Sequence, residues 1–342
     1  MFDSTPLRER VPAFRDVGLP PNGPDVFWRR ITPRDVAAIT SLERVAGLLD
    51  HPSYVVTSEE IARDLARSGV DLAQDSALAV DGRGHVIAWG LVILLPAQER
   101  FVDSDVEGAV HPDRRREGIG SALLEWQEAR GLAQFATSDA LLPGWLTAPA
   151  DERATAKLAL FEGRGFDRRR WWFEMERDLA DPIPEVPLDP ALTLVPFSFE
   201  LSEATRLARN DVFQDHWGSQ STSADDWEAN RRLPIARPDL SFLARDREGT
   251  VAGFVLTETN PAEWERAGHS YGYVGYVGVR RDFRGRRVAQ ALLTHTMRAY
   301  RAEGLEAAVL DVDSESPTGA DGLYTSLGFA PINRSITLVK EF

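Results

Sequence analysis

The 342-residue chain contains no cysteine. That absence removes disulfides, thiolate metal sites and a cysteine nucleophile from the available chemistries. Histidine is scarce as well: the six present show no ligand spacing, so no metal site is expected. No segment approaches the roughly 20 apolar residues that a membrane helix needs. Residues Met1 to Arg15 carry charges and prolines where a secretion signal has its apolar stretch. These absences together lead us to expect a cytoplasmic protein.

What is abundant is acid. The formal net charge is −14, which repels polyanions and disfavours nucleic acid and anionic membranes as partners. An anionic ligand must therefore be held locally. The arginines are bunched at Arg114 to Arg116, at Arg168 to Arg170, and five times between residues 280 and 287. The length favours two domains, each able to bury its own core.

Four of the ten residues from Asp181 to Pro190 are proline, which reads as a stiff, extended linker. The same order of signals recurs on each side of it. In the first half, Ser76 to Asp81 and His85 to Leu94 flank a Gly-Arg-Gly turn, the pattern of a β-hairpin. A strand near Phe101 to Val110 then leads into Arg115-Arg116-Glu117-Gly118-Ile119-Gly120. The helix that follows places Ile119, Ala122, Leu123 and Trp126 on one face. In the second half, Ser241 to Arg245 and Val251 to Thr257 flank Asp246 to Gly249. A strand at Tyr271 to Val279 leads into Arg284-Gly285-Arg286-Arg287-Val288-Ala289, with Val288, Ala291, Leu292 and His295 on the next helix face. A shift of 169 residues superposes Val110 on Val279, Arg115 on Arg284 and Gly120 on Ala289. Each copy closes alike, with Gly165-Phe166 against Gly328-Phe329. A repeat of this length is a duplicated domain.

A strand, an Arg/Gly loop and a helix together suit a pyrophosphate. The first helical turn offers unpaired N–H groups and partial positive charge. Small residues let the backbone approach, and arginines add charge-assisted hydrogen bonds. The loops lack the Gly-Lys-Ser/Thr of a P-loop and the three glycines of a dinucleotide fingerprint.

These residues resemble the acyl-CoA loop of the GNAT superfamily, Arg/Gln-x-x-Gly-x-Gly/Ala. Arg115 to Gly120 matches it throughout; Arg284 to Ala289 departs once, with Arg287 in place of the first glycine. The resemblance covers Val26 to Phe342. It implies an α/β (α+β) fold of two tandem GNAT domains, each a mixed, mostly antiparallel sheet flanked by helices, with splayed fourth and fifth strands. We expect a degenerate N-terminal domain over 1–180, the linker over 181–190 and a catalytic C-terminal domain over 191–342. Among tandem members, the second half resembles mycothiol synthase and related actinobacterial proteins. That likeness is carried by Asn210 to Gly218, Trp227 and Val312 to Pro317. It implies acetyl-CoA as donor and the primary amine of a small polar molecule as acceptor.

The resemblance also implies roles for individual residues. The donor would lie against Val110, Arg115, Arg116, Gly118, Ile119, Gly120 and Ser121 in the first half. In the second half the corresponding residues are Val277, Val279, Arg284, Gly285, Arg286, Arg287, Val288, Ala289 and Gln290. An arginine at the start of that helix is expected to keep ordinary helical φ and ψ. A tyrosine in the closing segment protonates the departing thiolate. Tyr324 holds that place in the second half and Phe161 in the first, so the second half is expected to do the chemistry. The family often sets a glutamate six residues before the loop valine. Tyr273 and Ser104 stand there, so Glu258, Asp311 and Asp313 are candidate replacements, while a water relay or an amine that arrives neutral would need no side-chain base. Asp215, His216, Trp217 and Tyr273 are candidates to line the acceptor pocket. Two other readings stay open: a GNAT-fold transferase with an aminoacyl-tRNA donor, and a non-enzymatic acyl-CoA sensor. Either a monomer or a homodimer is compatible with the fused pair.

Overall fold

The computed structural model describes residues 5–12, 17–315 and 320–342. The chain forms two compact units. Unit 1 runs to Arg169 and regains Ile336–Phe342, whereas unit 2 takes Arg170–Ser335.

The first part of the chain contains, in order, α1 (Leu7–Arg10), β1 (Phe27–Arg29), α2 (Val36–Asp50), α3 (Ser58–Leu65), α4 (Leu72–Asp75), β2 (Ser76–Val80), β3 (Val86–Leu94), β4 (Val102–Val110), α5 (Ile119–Phe135), β5 (Gly144–Asp151) and α6 (Thr155–Gly163). Strands β1 to β4 are antiparallel neighbours in sequence order, and β5 joins β4 in parallel. The carboxyl-terminal residue Phe342 closes this sheet, exchanging backbone hydrogen bonds of 2.8 and 3.0 Å with Gly144.

The rest of the chain contains β6 (Asp167–Asp178), β7 (Thr193–Pro196), α7 (Ser202–Val212), α8 (Ala224–Arg231), β8 (Phe242–Arg245), β9 (Val251–Glu258), α9 (Pro261–Ala267), β10 (Tyr271–Val279), α10 (Val288–Glu303), β11 (Ala307–Asp313), α11 (Ala320–Ser326) and β12 (Ala330–Glu341). The order within unit 2 is β7-β8-β9-β10-β11-β6, with only β10 and β11 parallel. The two units thus repeat one plan of antiparallel strands followed by a parallel pair, and in unit 2 β6 adds an antiparallel strand beyond that pair.

The apolar stripes of the two long helices explain their placement. Ile119, Leu123 and Trp126 of α5 are buried against Ala77, Ala88 and Val92. Val288 and Leu292 of α10 are buried with Val255, Val274 and Leu310. Each fully buried aliphatic side chain contributes about 1.5–3 kcal/mol, so one face of each helix is fixed on its sheet. The opposite sheet faces are covered by α2 and α3 in unit 1 and by α7 and α8 in unit 2.

The units divide at Arg169/Arg170 and Ser335/Ile336, where the proline content had pointed to 181–190. From Arg170 onward, β6 belongs to unit 2, where Trp172 to Asp178 pair with Asp313 to Ala307 of β11. The last part of β12 belongs to unit 1. Each copy of the repeat therefore gives part of its final strand to the other unit. Sequence periodicity locates a strand but carries no information on which sheet it joins. Residues 181–190 are extended, yet Ile183 and Leu188 pack on the unit 2 core and Arg298 donates a 2.7 Å hydrogen bond to the Pro184 carbonyl. Among the described residues, no helix is long and apolar enough to cross a membrane.

Candidate active site

The parallel pair in each unit stays together only briefly. In unit 2, β10 and β11 are in register from Tyr271↔Ala307 to Val274↔Leu310, and both strands then continue without pairing to each other. In unit 1, β4 and β5 pair from Val102↔Gly144 to Asp105↔Thr147 and diverge in the same way. The divergence leaves an opening between the two strands, toward the end of β4 or β10 that leads into the Arg/Gly loop.

The two loops share one backbone. Arg115 Nε donates to the Val110 carbonyl at 3.2 Å, and Arg284 Nε donates to the Val279 carbonyl at the same distance. Left-handed φ values fall at the second and fourth loop positions in both. They belong to Arg116 (67°) and Gly118 (83°) in the first, and to Gly285 (77°) and Arg287 (58°) in the second. Alternation of this kind turns successive N–H groups inward and makes an anion-binding concavity at a helix start. Of these two positions, the first loop has glycine at the fourth and the second loop at the second. Arg287 is thus the N-cap of α10 in the left-handed region, not in the ordinary helical geometry expected of it. The loop conformation, not the residue type, sets its φ.

The donor-loop residues divide by exposure. Ile119 and Val288 are buried, so only their backbone can face a ligand. Arg116, Arg286 and Arg287 are exposed; Arg286 stacks on Phe283 and lies 3.7 Å from Asp189. Gly120, Ser121, Ala289 and Gln290 form the first helical turns. Val277 and Val279 are half-buried on β10.

Tyr324 lies on α11 and is buried in the apolar cluster that includes Val288, with Val277 and Val279 packed against it. Burial alone pushes its hydroxyl well above the ordinary tyrosine range, which keeps it protonated at neutral pH. Phe161 occupies the matching place in unit 1, edge-on to Phe166 as Tyr324 is to Phe329.

The candidate bases are in different situations. Asp313 is buried and held by Arg170 through two hydrogen bonds of 2.7 Å, and it also accepts from the Glu315 N–H. Glu258 accepts from Arg231 at 2.9 Å. Asp311 has a neutral partner, the Tyr273 hydroxyl, at 2.9 Å. Its carboxyl is pushed up to about 6, by desolvation first and by the neighbouring Glu174 carboxylate second, although the residue as a whole is exposed. Tyr273 is itself pushed far up, by burial and then by Asp311.

Of the acceptor candidates, His216 stacks on Trp172 with ring centres 5.7 Å apart. Its pKa is lowered by burial first, with the Arg170 and Arg209 charges acting the same way and Asp313 opposing them. Trp217 carries the Arg170 guanidinium over its ring at 5.6 Å. The structure therefore gathers His216, Trp217, Asp313 and the unforeseen Arg170 and Trp172 into one group. The side chain of Asp215, and residues Ser316 and Pro317, lie outside the described residues. Arg170 had no local signal, because its partner lies 143 residues away.

A model of the "Acetyltransferase (GNAT) family" matches residues 204–329, within unit 2. A mycothiol acetyltransferase of Parafrankia sp. is 31% identical over 327 residues, covering 89% of this chain and 94% of that protein. The chain belongs to the GNAT acetyltransferase family. A GCN5-related N-acetyltransferase from Sphaerobacter thermophilus superposes with a TM-score of 0.68 at 26% identity, over 94% of this chain and 97% of that one. A tandem GNAT protein from the clavulanic acid biosynthesis pathway does so at 0.66 and 19% identity, over 93% and 98%. The protein is an N-acetyltransferase of tandem GNAT build.

In this GNAT pair, unit 1 also has an open site beside its loop. A cavity of about 460 Å³ lies along its loop, lined by Val110, Arg115, Arg116, Gly118, Gly120 and Ser121, and by Phe161 and Lys157 of α6. Asp50 reaches into the same cavity and binds Arg115 at 2.7 and 3.0 Å. The counterpart of Tyr273 also changes. Counting six residues back from Val110 gives Ser104, which is buried against α5 and donates to Gln134 at 2.8 Å. Unit 2, however, has a bulge between Val274 and Tyr276, which adds one residue to the count. Glu258, five residues after the partner of Val279, pairs with Tyr273. Ile93, five residues after the partner of Val110, pairs with Asp105. Asp105 is therefore the matching residue, and unit 1 does hold a carboxylate there. Burial drives Asp105 and its neighbours on the same strand face upward, Asp103 to about 7 and Asp105 and Glu107 to about 8.

Proposed function

We propose that this cytoplasmic N-acetyltransferase moves an acetyl group from acetyl-CoA to the primary amine of a small polar molecule, and that unit 2 carries the chemistry. The observation that carries the second half of this reading is Tyr324. It is a buried, protonated phenol in the apolar cluster against which Val277 and Val279 pack, at the place where unit 1 has only Phe161.

In this reading the loop N–H groups of Arg284 to Ala289 and the start of α10 hold the pyrophosphate. The thioester enters the opening between β10 and β11, where the edge of β10 beyond Val274 has no β11 partner and can offer N–H groups to the carbonyl oxygen. The acceptor approaches from the side of His216, Trp217 and Tyr273. Its amine attacks the carbonyl carbon, the C–S bond breaks, and Tyr324 gives the thiolate its proton. Unit 1 binds acetyl-CoA along its cavity without turning it over. The Parafrankia relative is named for mycothiol, so a mycothiol-class amine is the first acceptor to assay.

Thiol release from acetyl-CoA across a panel of primary amines tests the activity. On the best acceptor, Tyr324→Phe should lower kcat by roughly 10²- to 10⁴-fold, the span typical of general acid–base groups, with donor affinity kept. Phe161→Tyr should change little. Wild-type turnover in Tyr324→Phe, together with loss of turnover in Gly118→Glu, would place the chemistry in unit 1.

A further inference from the structure

The position where the resemblance leads one to expect a glutamate base holds Tyr273, which cannot accept a proton from an ammonium ion at neutral pH. Two of the three candidate carboxylates, Glu258 and Asp313, are already engaged by Arg231 and Arg170. The third is differently placed. Pairing of β10 with β11 ends at Val274↔Leu310, so Asp311 is the first residue of β11 beyond the last pair. Tyr273 stands one residue before it on β10. The Tyr273–Asp311 hydrogen bond of 2.9 Å therefore straddles the mouth of the opening. The phenol donates to Oδ2 and leaves Oδ1 without a protein partner among the described residues.

We propose that Asp311 is the general base of unit 2 and that Tyr273 is the residue that positions it. The carboxylate missing from β10 is thus supplied from the neighbouring strand, across the opening where amine and thioester meet. This inference rests on the reading that unit 2 carries the chemistry.

The proton account closes. Asp311 Oδ1 takes one proton from the arriving R–NH3⁺. The freed lone pair forms the C–N bond as the C–S bonding pair leaves on sulfur, and Tyr324 protonates the thiolate. The second nitrogen proton, acidic once the C–N bond has formed, returns through water to Tyr324. Asp311 then releases its proton to solvent, for a net yield of amide, free CoA thiol and one proton. The elevated pKa of Asp311, about 6, suits this work, since a base is most effective when its pKa lies near the working pH. The ionisable groups around Asp311 are Tyr273 on β10, Glu174 on β6 and, beyond Tyr273, Glu258 on β9. Glu174 raises its pKa, whereas the Tyr273 hydrogen bond lowers it.

The test uses the full chain, acetyl-CoA, and two small nucleophiles at mildly alkaline pH. Ethanolamine arrives as an ammonium ion and needs a base; hydroxylamine arrives neutral and does not. Asp311→Asn should cut kcat with ethanolamine by roughly 10²-fold or more and leave hydroxylamine within a few-fold of wild type. Asp311→Glu should recover part of the loss. With ethanolamine, kcat should rise with pH through an apparent pKa near 6 in the wild type. Tyr273→Phe should move that limb upward, because it removes the hydrogen bond that favours the carboxylate; a purely structural tyrosine would lower the rate without moving the limb. Equal loss with both nucleophiles, or an unchanged profile in Asp311→Asn, overturns the assignment. The parent reading fails separately: Tyr324→Phe would then leave the rates with both nucleophiles unchanged.

Discussion

Arg287 adopts in the second donor loop the left-handed backbone that Gly118 adopts in the first, at φ 58° against 83°. An L-residue there brings its Cβ too close to the following carbonyl and costs about 1–2 kcal/mol, a cost that glycine avoids. Arg287→Gly should therefore raise the melting temperature of unit 2 by a few degrees. The converse change, Gly118→Arg, should destabilise unit 1 by a similar amount. A Cβ built at Gly118 meets no heavy atom within 4 Å, so backbone strain is the only penalty. Thermal unfolding followed by calorimetry decides. If Arg287→Gly melts lower than wild type, the arginine side chain is making contacts that outweigh the strain.

The division of the chain at Arg169/Arg170 makes a different prediction for fragments. A piece starting at Arg170 keeps β6, whose residues Trp172 to Asp178 pair with β11, and keeps the Arg170–Asp313 clamp. A piece starting at Ala191, where proline content would suggest cutting, loses both and strips Ile183 and Leu188 from the core. Residues 170–335 should fold cooperatively and stay in solution, while residues 191–342 should not. Two equally well-folded fragments would mean that β6 is dispensable to unit 2.

Much of this architecture was legible because it is local. The period of α5 and α10, the hairpins flanking Gly82 and Gly249, and the Arg/Gly loops all depend on neighbours within a few residues. The two strand exchanges were not legible, because β6 and β12 look alike whichever sheet they join. The Ser104 assignment failed for a related reason: a single-residue bulge near Gly275 shifts the count without leaving a mark in a glycine-rich strand. Arg170 and Glu174 escaped notice because their meaning comes from β11, more than 130 residues away.

The acidic face of β4 sets a pH dependence for unit 1. Asp103, Asp105 and Glu107 have folded-state pKa values of about 7, 8 and 8, raised by burial above the values near 4 of an unfolded chain. Between those limits the folded protein binds more protons than the unfolded chain does, so stability falls as pH rises. The contribution is fully present below about pH 4 and is lost as pH rises through the folded-state values, with no further loss above them. Unfolding midpoints of unit 1 should therefore decline from mildly acidic to mildly alkaline pH. Asp105→Asn should flatten the decline and gain stability at its alkaline end. A midpoint that rises over this range would show the three carboxyls to be ionised and paired.

Asp50 and Arg115 offer the last test, that of the donor site in unit 1. Arg115 matches the loop arginine of the second unit, with the same bond to its strand-end carbonyl, but Asp50 occupies the guanidinium and brings a carboxylate into the cavity. A carboxylate beside a pyrophosphate site repels the ligand and competes for the arginine donors. Asp50→Asn keeps the shape of the side chain and removes the charge. It should tighten acetyl-CoA binding at unit 1 several-fold, with unit 2 unaffected. Gly118→Glu adds a carboxylate at the loop and should abolish that site, so calorimetric stoichiometry should fall from two acetyl-CoA per chain to one. The double variant separates the terms: with Gly118→Glu present, Asp50→Asn should change nothing further in donor binding. If the wild type binds a single equivalent and Gly118→Glu leaves it intact, Asp50 has closed the first site, and Asp50→Asn alone should then raise the count to two.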